Sequence, residues 1–172
     1  IASRLLELAD LENRQHLEDP EVVDLTNVVR EVVASREGVI AERALQVIVD
    51  LPDSAEVLGD RFLLVHAVEN LLDNACRFSP LKGKVTLMVR CNDTVVVYVR
   101  DEGPGIPEFA LARIYERFFS LPEPGSQLKS SGLGLNFVRQ IAELHHGTIA
   151  ITNGTIGAVA ELSLPAGVLT RD

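Results

Sequence analysis

Apolar positions along this chain recur at helical spacing in some stretches and at strand spacing in others. Over residues 1–17, Leu5, Leu8 and Leu11 stand among dense charges, one side of an amphipathic helix. Asp19-Pro20 ends that helix and predicts a boundary with the part that follows. Val28, Val29, Val32, Val33 and Ile40 predict a second helix, with Asp24 or Thr26 as its cap. Residues 45–51 are rich in β-branched side chains, stop at Pro52 and predict a strand. From Asp60 the helical period returns, because Leu64, Val68, Leu71, Leu72 and Ala75 fall on one face. Residues 84–90 and 95–100 flank Asn92-Asp93 and predict a hairpin. Prolines 104, 107, 122 and 124, with Gly103, Gly105 and Gly125, predict loop over 101–131, broken by a short helix at 108–116. Residues 133–146 predict an apolar helix with Leu133, Phe137, Ile141 and Leu144 inward and Gly147 as C-cap. Residues 149–152 and 158–164 close the chain as a hairpin about Asn153-Gly154. Helices segregated from antiparallel hairpins predict an α/β (α+β) two-layer sandwich.

Composition narrows the class. The chain is 47% hydrophobic and 24% charged over 172 residues, which suits one domain with its own core. No apolar run approaches the ~20 residues of a membrane-spanning helix. There is no secretory signal, and the chain starts at Ile1 rather than Met, so a boundary inside a longer protein is expected. The formal charge of −9 comes without any Lys/Arg cluster, which argues against a nucleic-acid or membrane-surface binder. Such a chain can still take a nucleotide if Mg²⁺ bridges its oxygens to the phosphates. Cys76 and Cys91 have no ligand-type spacing and read as two reduced thiols.

Three segments carry candidate chemistry. Asn70 and Asn74 stand one helical turn apart, opposite the apolar stripe, with Arg77 near the same line. Two carboxamides so placed can hold Mg²⁺ and phosphate oxygens without adding negative charge, and Arg77 can neutralise phosphate. On its own, the asparagine pair reads first as a solvated helix face. Asp101-Glu102-Gly103-Pro104-Gly105-Ile106 ends a strand, where a carboxylate can accept a hydrogen bond from an exocyclic amine. An ordinary acidic turn has the same composition. Ser130-Ser131-Gly132-Leu133-Gly134-Leu135 opens a helix whose free N–H groups can hold an anion, although close packing alone also selects glycines there.

In this order the segments resemble the histidine kinase ATP-binding family, the Bergerat or GHKL fold. Residues 66–80, from His66-Ala67-Val68-Glu69-Asn70 to Phe78-Ser79-Pro80, resemble its N box. Residues 101–106 resemble its first glycine box, Ile114-Tyr115-Glu116-Arg117-Phe118-Phe119 its F box, and Ser131-Gly132-Leu133-Gly134-Leu135 its second glycine box. Four ordered boxes over roughly residues 20–165 are far more specific than any one. The resemblance implies a mixed, mostly antiparallel sheet with helices on one face. It implies ATP and Mg²⁺ as ligands, with Asn74 on the metal, Asn70 and Arg77 at the phosphates and Phe78 against adenine. Asp101 would bind the adenine amino group, and Gly103, Gly105 and Ile106 would keep the base pocket open. Ser131, Gly132, Leu133, Gly134 and Leu135 would cradle the triphosphate, and residues 117–131 would form a mobile lid.

Three positions depart from the family pattern. Arg77 stands for a usual Lys, Phe78 for a common Tyr, and Ser130 for a frequent glycine, which puts the lid's stiffness or placement in question. Phe119-Ser120-Leu121-Pro122 and residues 129–135, Ser130 included, resemble CreC-type sensor kinases more narrowly.

The implied reaction moves the γ-phosphoryl of ATP to a histidine and then to an aspartate of a response regulator. None of His16, His66, His145 or His146 has the acceptor setting of the family, so the acceptor is expected on a dimerisation and phosphotransfer domain outside this chain. His145 and His146 read instead as polar residues at a helix C-terminus. Residues 1–18 would be the end of that domain's second helix, and 19–172 the ATP-binding domain. The longer protein is expected to be a homodimer in the bacterial inner membrane, with this part cytoplasmic, monomeric alone and without a nucleic-acid partner. Two other readings stand beside this one. A GHKL ATPase usually needs a Glu where Asn70 stands, and a non-catalytic ATP-sensing module needs less than the intact Asn74, Asp101, Gly103 and Gly132.

Overall fold

Two hairpins and one parallel strand make a five-stranded sheet whose alternate side chains face a layer of helices. The computed structural model describes residues 2–126 and 130–167. Lys129 of the CreC-like segment, residues 127–129 of the expected lid, and the ends of the two expected domains at Ile1 and 168–172 lie outside them. The elements are α1 (Ala2–Asn13), β1 (Glu21–Asp24), α2 (Leu25–Ser35), α3 (Glu37–Glu42), β2 (Gln46–Asp50), β3 (Glu56–Gly59) and α4 (Arg61–Phe78). They continue with β4 (Lys84–Cys91), β5 (Thr94–Arg100), α5 (Glu108–Leu111), α6 (Gly134–Leu144), β6 (Thr148–Asn153) and β7 (Ala158–Pro165).

The sheet order is β2-β4-β5-β7-β6, with β2 parallel to β4 and the other pairs antiparallel. Register puts Leu87 opposite Val99 and Val97 opposite Leu162, so one face is continuous hydrocarbon. Those side chains are fully or almost fully buried, while Met88, Tyr98 and Glu161 on the other face are half-buried. Burial on one face alone is what strict alternation produces. α2, α4 and α6 cover the apolar face, so the two-layer expectation matches the structure. Leu64, Val68, Leu71, Leu72 and Ala75 of α4 meet Phe137, Val138, Ile141 and Leu144 of α6 within one core. Truncating a fully buried side chain such as Leu72 or Ile141 to Ala costs about 2–5 kcal/mol. Among the described residues, no helix is long and apolar enough to cross a membrane.

Several boundaries differ from the sequence expectation. The first helix ends at Asn13, before Asp19-Pro20, and its Leu8 and Leu11 join the core against α6. Asp24, not Thr26, caps α2: its Oδ1 accepts from Thr26 N–H at 2.9 Å and from Ala55 N–H at 3.0 Å. The predicted second helix breaks at Arg36, whose ψ of 12° leaves Ile40 on the separate α3. β1 and β3 form a two-stranded antiparallel sheet that the pattern did not announce. The helix expected over 108–116 stops at Leu111 and gives way to turns.

α6 ends at Leu144, two residues short of the predicted 146, and its left-handed cap falls one residue before Gly147. His146 takes the left-handed position (φ 58°), with His146 N–H bonded to Glu143 C=O at 3.0 Å and Gly147 N–H to Ala142 C=O at 2.8 Å. That bond pair is a Schellman cap. His145 is buried beside it, and Asp60 N–H donates to its Nε2 at 3.0 Å. Its Nδ1 lies 2.6 Å from the Ile141 carbonyl, so Nδ1 carries the proton and the ring is neutral. His145 stands at the helix C-terminus as expected, and it is also a buried link between the end of α6 and the start of α4.

Candidate nucleotide-binding site

α4 begins where Asp60 Oδ1 accepts Leu63 N–H at 3.1 Å, and its apolar stripe turns Asn70 and Asn74 toward a cleft. Asn70 Nδ2 donates to the His66 carbonyl at 2.9 Å, which fixes the amide plane. Its Oδ1 faces the first residue of α6, 3.1 Å from where a Cβ on Gly134 would stand. No side-chain hydrogen bond among the described residues engages Asn74, so its carboxamide is available at the cleft wall. Asp73 is held from behind by Arg36, at 2.7 and 3.2 Å to its two oxygens. Glu69 lies 3.8 Å from the same guanidinium and does not line the cleft. Arg77, in the last turn of α4, pairs with Glu123 across 3.3 Å.

Asp101 leaves the end of β5 and is 9% exposed. Its Oδ1 accepts from Gly103 N–H at 2.8 Å and from Ala158 N–H at 3.2 Å, so Oδ2 remains for a cleft ligand. Burial raises the carboxyl above the usual carboxylate range, and the two backbone donors partly offset this. The contact from Ala158 depends on Gly157, where φ is +70° and a Cβ would stand 2.1 Å from the Asp101 carbonyl oxygen. Asn153 at the end of β6 fixes the following loop, accepting from Ile106 N–H at 2.7 Å and donating to Ile106 C=O at 2.8 Å.

α6 supplies the other end of the cleft. Its N-cap residue Leu133 makes no side-chain capping bond, so among the described residues the first-turn N–H groups have no side-chain acceptor. Such a terminus favours an anion. Phe118 N–H donates to the Gly132 carbonyl at 3.0 Å, and Ser120 hydroxyl to the Ser130 carbonyl at 3.2 Å, which ties the F-box segment to this terminus.

These elements enclose a cleft of about 350 Å³, at the lower end of small-ligand sites. Asn70, Asn74, Arg77, Phe78, Asp101, Gly105 and Ile106 line it, as do Ser131, Gly132, Gly134 and Leu135. Gly103 and Leu133 lie behind the wall: Gly103 orients Asp101, and Leu133 is fully buried in the core. No motif marks the floor, where Val99, Ile151, Ala158 and Ala160 present small or flat apolar surface. Strand alternation marks Val99 and Ala160 as inward, but not as part of a site. Arg4 of α1 also reaches the cleft, and no motif marks it. Among the described residues, no group of three His, Cys, Asp or Glu side chains forms a metal cluster. Cys76 and Cys91 are free thiols, and burial pushes Cys76 up to about 11.

Comparison with known proteins agrees with this geometry. Residues 59–168 match the profile of the "Histidine kinase-, DNA gyrase B-, and HSP90-like ATPase" family. The sensor protein CreC of Escherichia coli K12 is 41% identical over 160 residues, 92% of this chain and 33% of CreC. The chain thus spans about a third of the length of that curated relative. The solved mycobacterial sensor histidine kinase MprB superposes with a TM-score of 0.73 at 29% identity, covering 86% of this chain and 97% of that one. Full-length ShkA, solved in complex with AMPPNP, shares the fold at a TM-score of 0.81 and 23% identity, covering 95% of this chain and 35% of ShkA. The chain therefore belongs to the histidine kinase-, DNA gyrase B- and HSP90-like ATPase family, and within it is similar to the catalytic domains of two-component sensor histidine kinases.

Proposed function

We propose that this chain binds Mg²⁺-ATP in the cleft and presents its γ-phosphoryl to a histidine carried outside the chain. The observation that carries the reading is convergence: Asn70, Asn74 and Asp101 meet in one cleft that ends at the uncapped start of α6. Asp101 Oδ2 would accept from the adenine amine, with Phe78 and Ile106 beside the base. The triphosphate would run toward α6 and Arg77. A cleft without a group of three His, Cys, Asp or Glu side chains among the described residues fits a cation held largely by phosphate oxygens, with the neutral Asn74 oxygen as protein donor. Bound there, Mg²⁺ would neutralise charge building on the phosphates.

Transfer fits this site better than hydrolysis. Asn70 is committed through its NH₂ to His66 and has no basic oxygen with which to activate water. Glu69 faces Arg36 instead of the cleft. In this reading residues 1–18 are the end of a phosphotransfer helix and 19–172 the ATP-binding domain. The whole protein is a homodimeric, membrane-anchored sensor kinase whose phosphoryl group passes on to a response regulator. Incubation with γ-labelled ATP tests it. The chain alone should stay unlabelled, while the histidine-bearing segment of the longer protein, added in trans, should gain acid-labile phosphate. Label on His16 or His66 contradicts the reading, and tight ATP binding without any transfer favours an ATP-sensing module.

A further inference from the structure

Arg77 is the cation that α4 presents to the cleft, and its Nε edge already faces a carboxylate. Its Nε stands 3.3 Å from Glu123 Oε1, and each side chain is only about a quarter exposed, at 28% and 27%. No other ion pair engages Arg77 among the described residues. The local chain holds Glu123 in place. Pro124 follows it, Gly125 adopts φ +74°, and Ser126 N–H donates to the Glu123 carbonyl at 3.0 Å. Proline then left-handed glycine, closed by that bond, is the pattern of a type II turn. Pro122 fixes the backbone on the other side. A guanidinium takes carboxylate and phosphate oxygens through the same N–H groups, so one arginine edge serves one of them at a time.

We propose that Glu123 is an internal competitor for the phosphate subsite at Arg77, an affinity-setting residue that a polyphosphate must displace. The proposal rests on the nucleotide reading above. A nucleoside without phosphates never meets this competition, because its contacts end at the base pocket around Asp101. A nucleotide whose phosphates reach Arg77 gains only the difference between its own contact and the one it breaks.

The test is a titration of the parent chain, Glu123→Gln, Arg77→Ala and the double variant with Mg²⁺-ATP and with adenosine. Glu123→Gln should bind ATP about two- to fivefold more tightly, the range that a partly exposed ion pair supports. Adenosine affinity should not change, and in the Arg77→Ala background the Glu123 substitution should have no effect on ATP. The proposal is overturned if Glu123→Gln binds ATP no more tightly than the parent. It is equally overturned if adenosine gains as much, or if the gain persists without Arg77. A parent chain that binds neither ligand overturns the nucleotide reading, and this proposal with it. Parent binding with no gain in the variant leaves that reading intact.

Discussion

The Asn153 carboxamide holds both backbone polar groups of Ile106, accepting its N–H at 2.7 Å and donating to its carbonyl at 2.8 Å. This double bond of contacts ties the end of β6 to the loop that follows Asp101, across 47 residues of sequence. Asn153→Ala should therefore release the loop without touching the core. The loss of two hydrogen bonds predicts about 1–2 kcal/mol lower stability in denaturant unfolding. ATP should also bind more weakly while the helical circular dichroism is kept. Unchanged stability and affinity would show that the loop holds its shape by itself.

His145 gives the fold a pH dependence. Burial holds the ring below its ordinary value near 6.5, and the neutral form is the one that accepts Asp60 N–H. The unfolded chain takes up the proton first, so this contribution is fully present above about pH 6.5 and is lost as pH falls toward the folded value. One such proton changes stability by up to about 1.4 kcal/mol per pH unit. Between about pH 7.5 and about pH 5.5, thermal unfolding of the parent should fall more steeply than that of His145→Gln. Parallel slopes would remove His145 as the cause.

Among the described residues no side-chain hydrogen bond engages the Asn74 carboxamide, which suits a neutral oxygen donor beside phosphates. Asn74→Asp removes its NH₂ and sets a second charge next to the triphosphate. Mg²⁺-dependent ATP binding or transfer should drop by about tenfold or more, ~1.4 kcal/mol at least, in a protein that still folds. An unchanged Mg²⁺-ATP titration would show the metal role to be misassigned.

How much of this was legible in the sequence follows from where the signal is local. The Asn70–Asn74 pair could be placed because helix period and apolar stripe together fix which face each residue occupies. The hairpins could be placed because Val85, Leu87 and Val89 alternate strictly with less buried residues. β1 and β3 gave no such signal: each has four residues, and their paired Val22 and Leu58 are both 57% exposed. The end of α6 differs because Gly147 is the common left-handed cap, whereas His146 takes that position here, one residue earlier. The partners that hold the site were illegible for a different reason. Gly157 against Asp101, Asn153 on Ile106, and Arg4 at the cleft are contacts made by folding, between residues far apart in the chain.

Asp101 is the residue on which base recognition turns, because one buried carboxylate oxygen is fixed by backbone and the other is left for a ligand. An adenine amine can donate to it, whereas guanine presents an acceptor oxygen at that position. Leaving the buried carboxylate unpartnered costs ~1–3 kcal/mol, a discrimination of roughly tenfold to over a hundredfold. The most direct measurement is calorimetric titration of the parent and of Asp101→Ala with Mg²⁺-ATP and Mg²⁺-GTP. The parent should prefer ATP by that margin, and the variant should lose most of its ATP affinity and its preference together. A variant that binds ATP more weakly yet excludes GTP as strongly as the parent would remove Asp101 as the source of base choice, and a parent that binds neither nucleotide would overturn the nucleotide site itself.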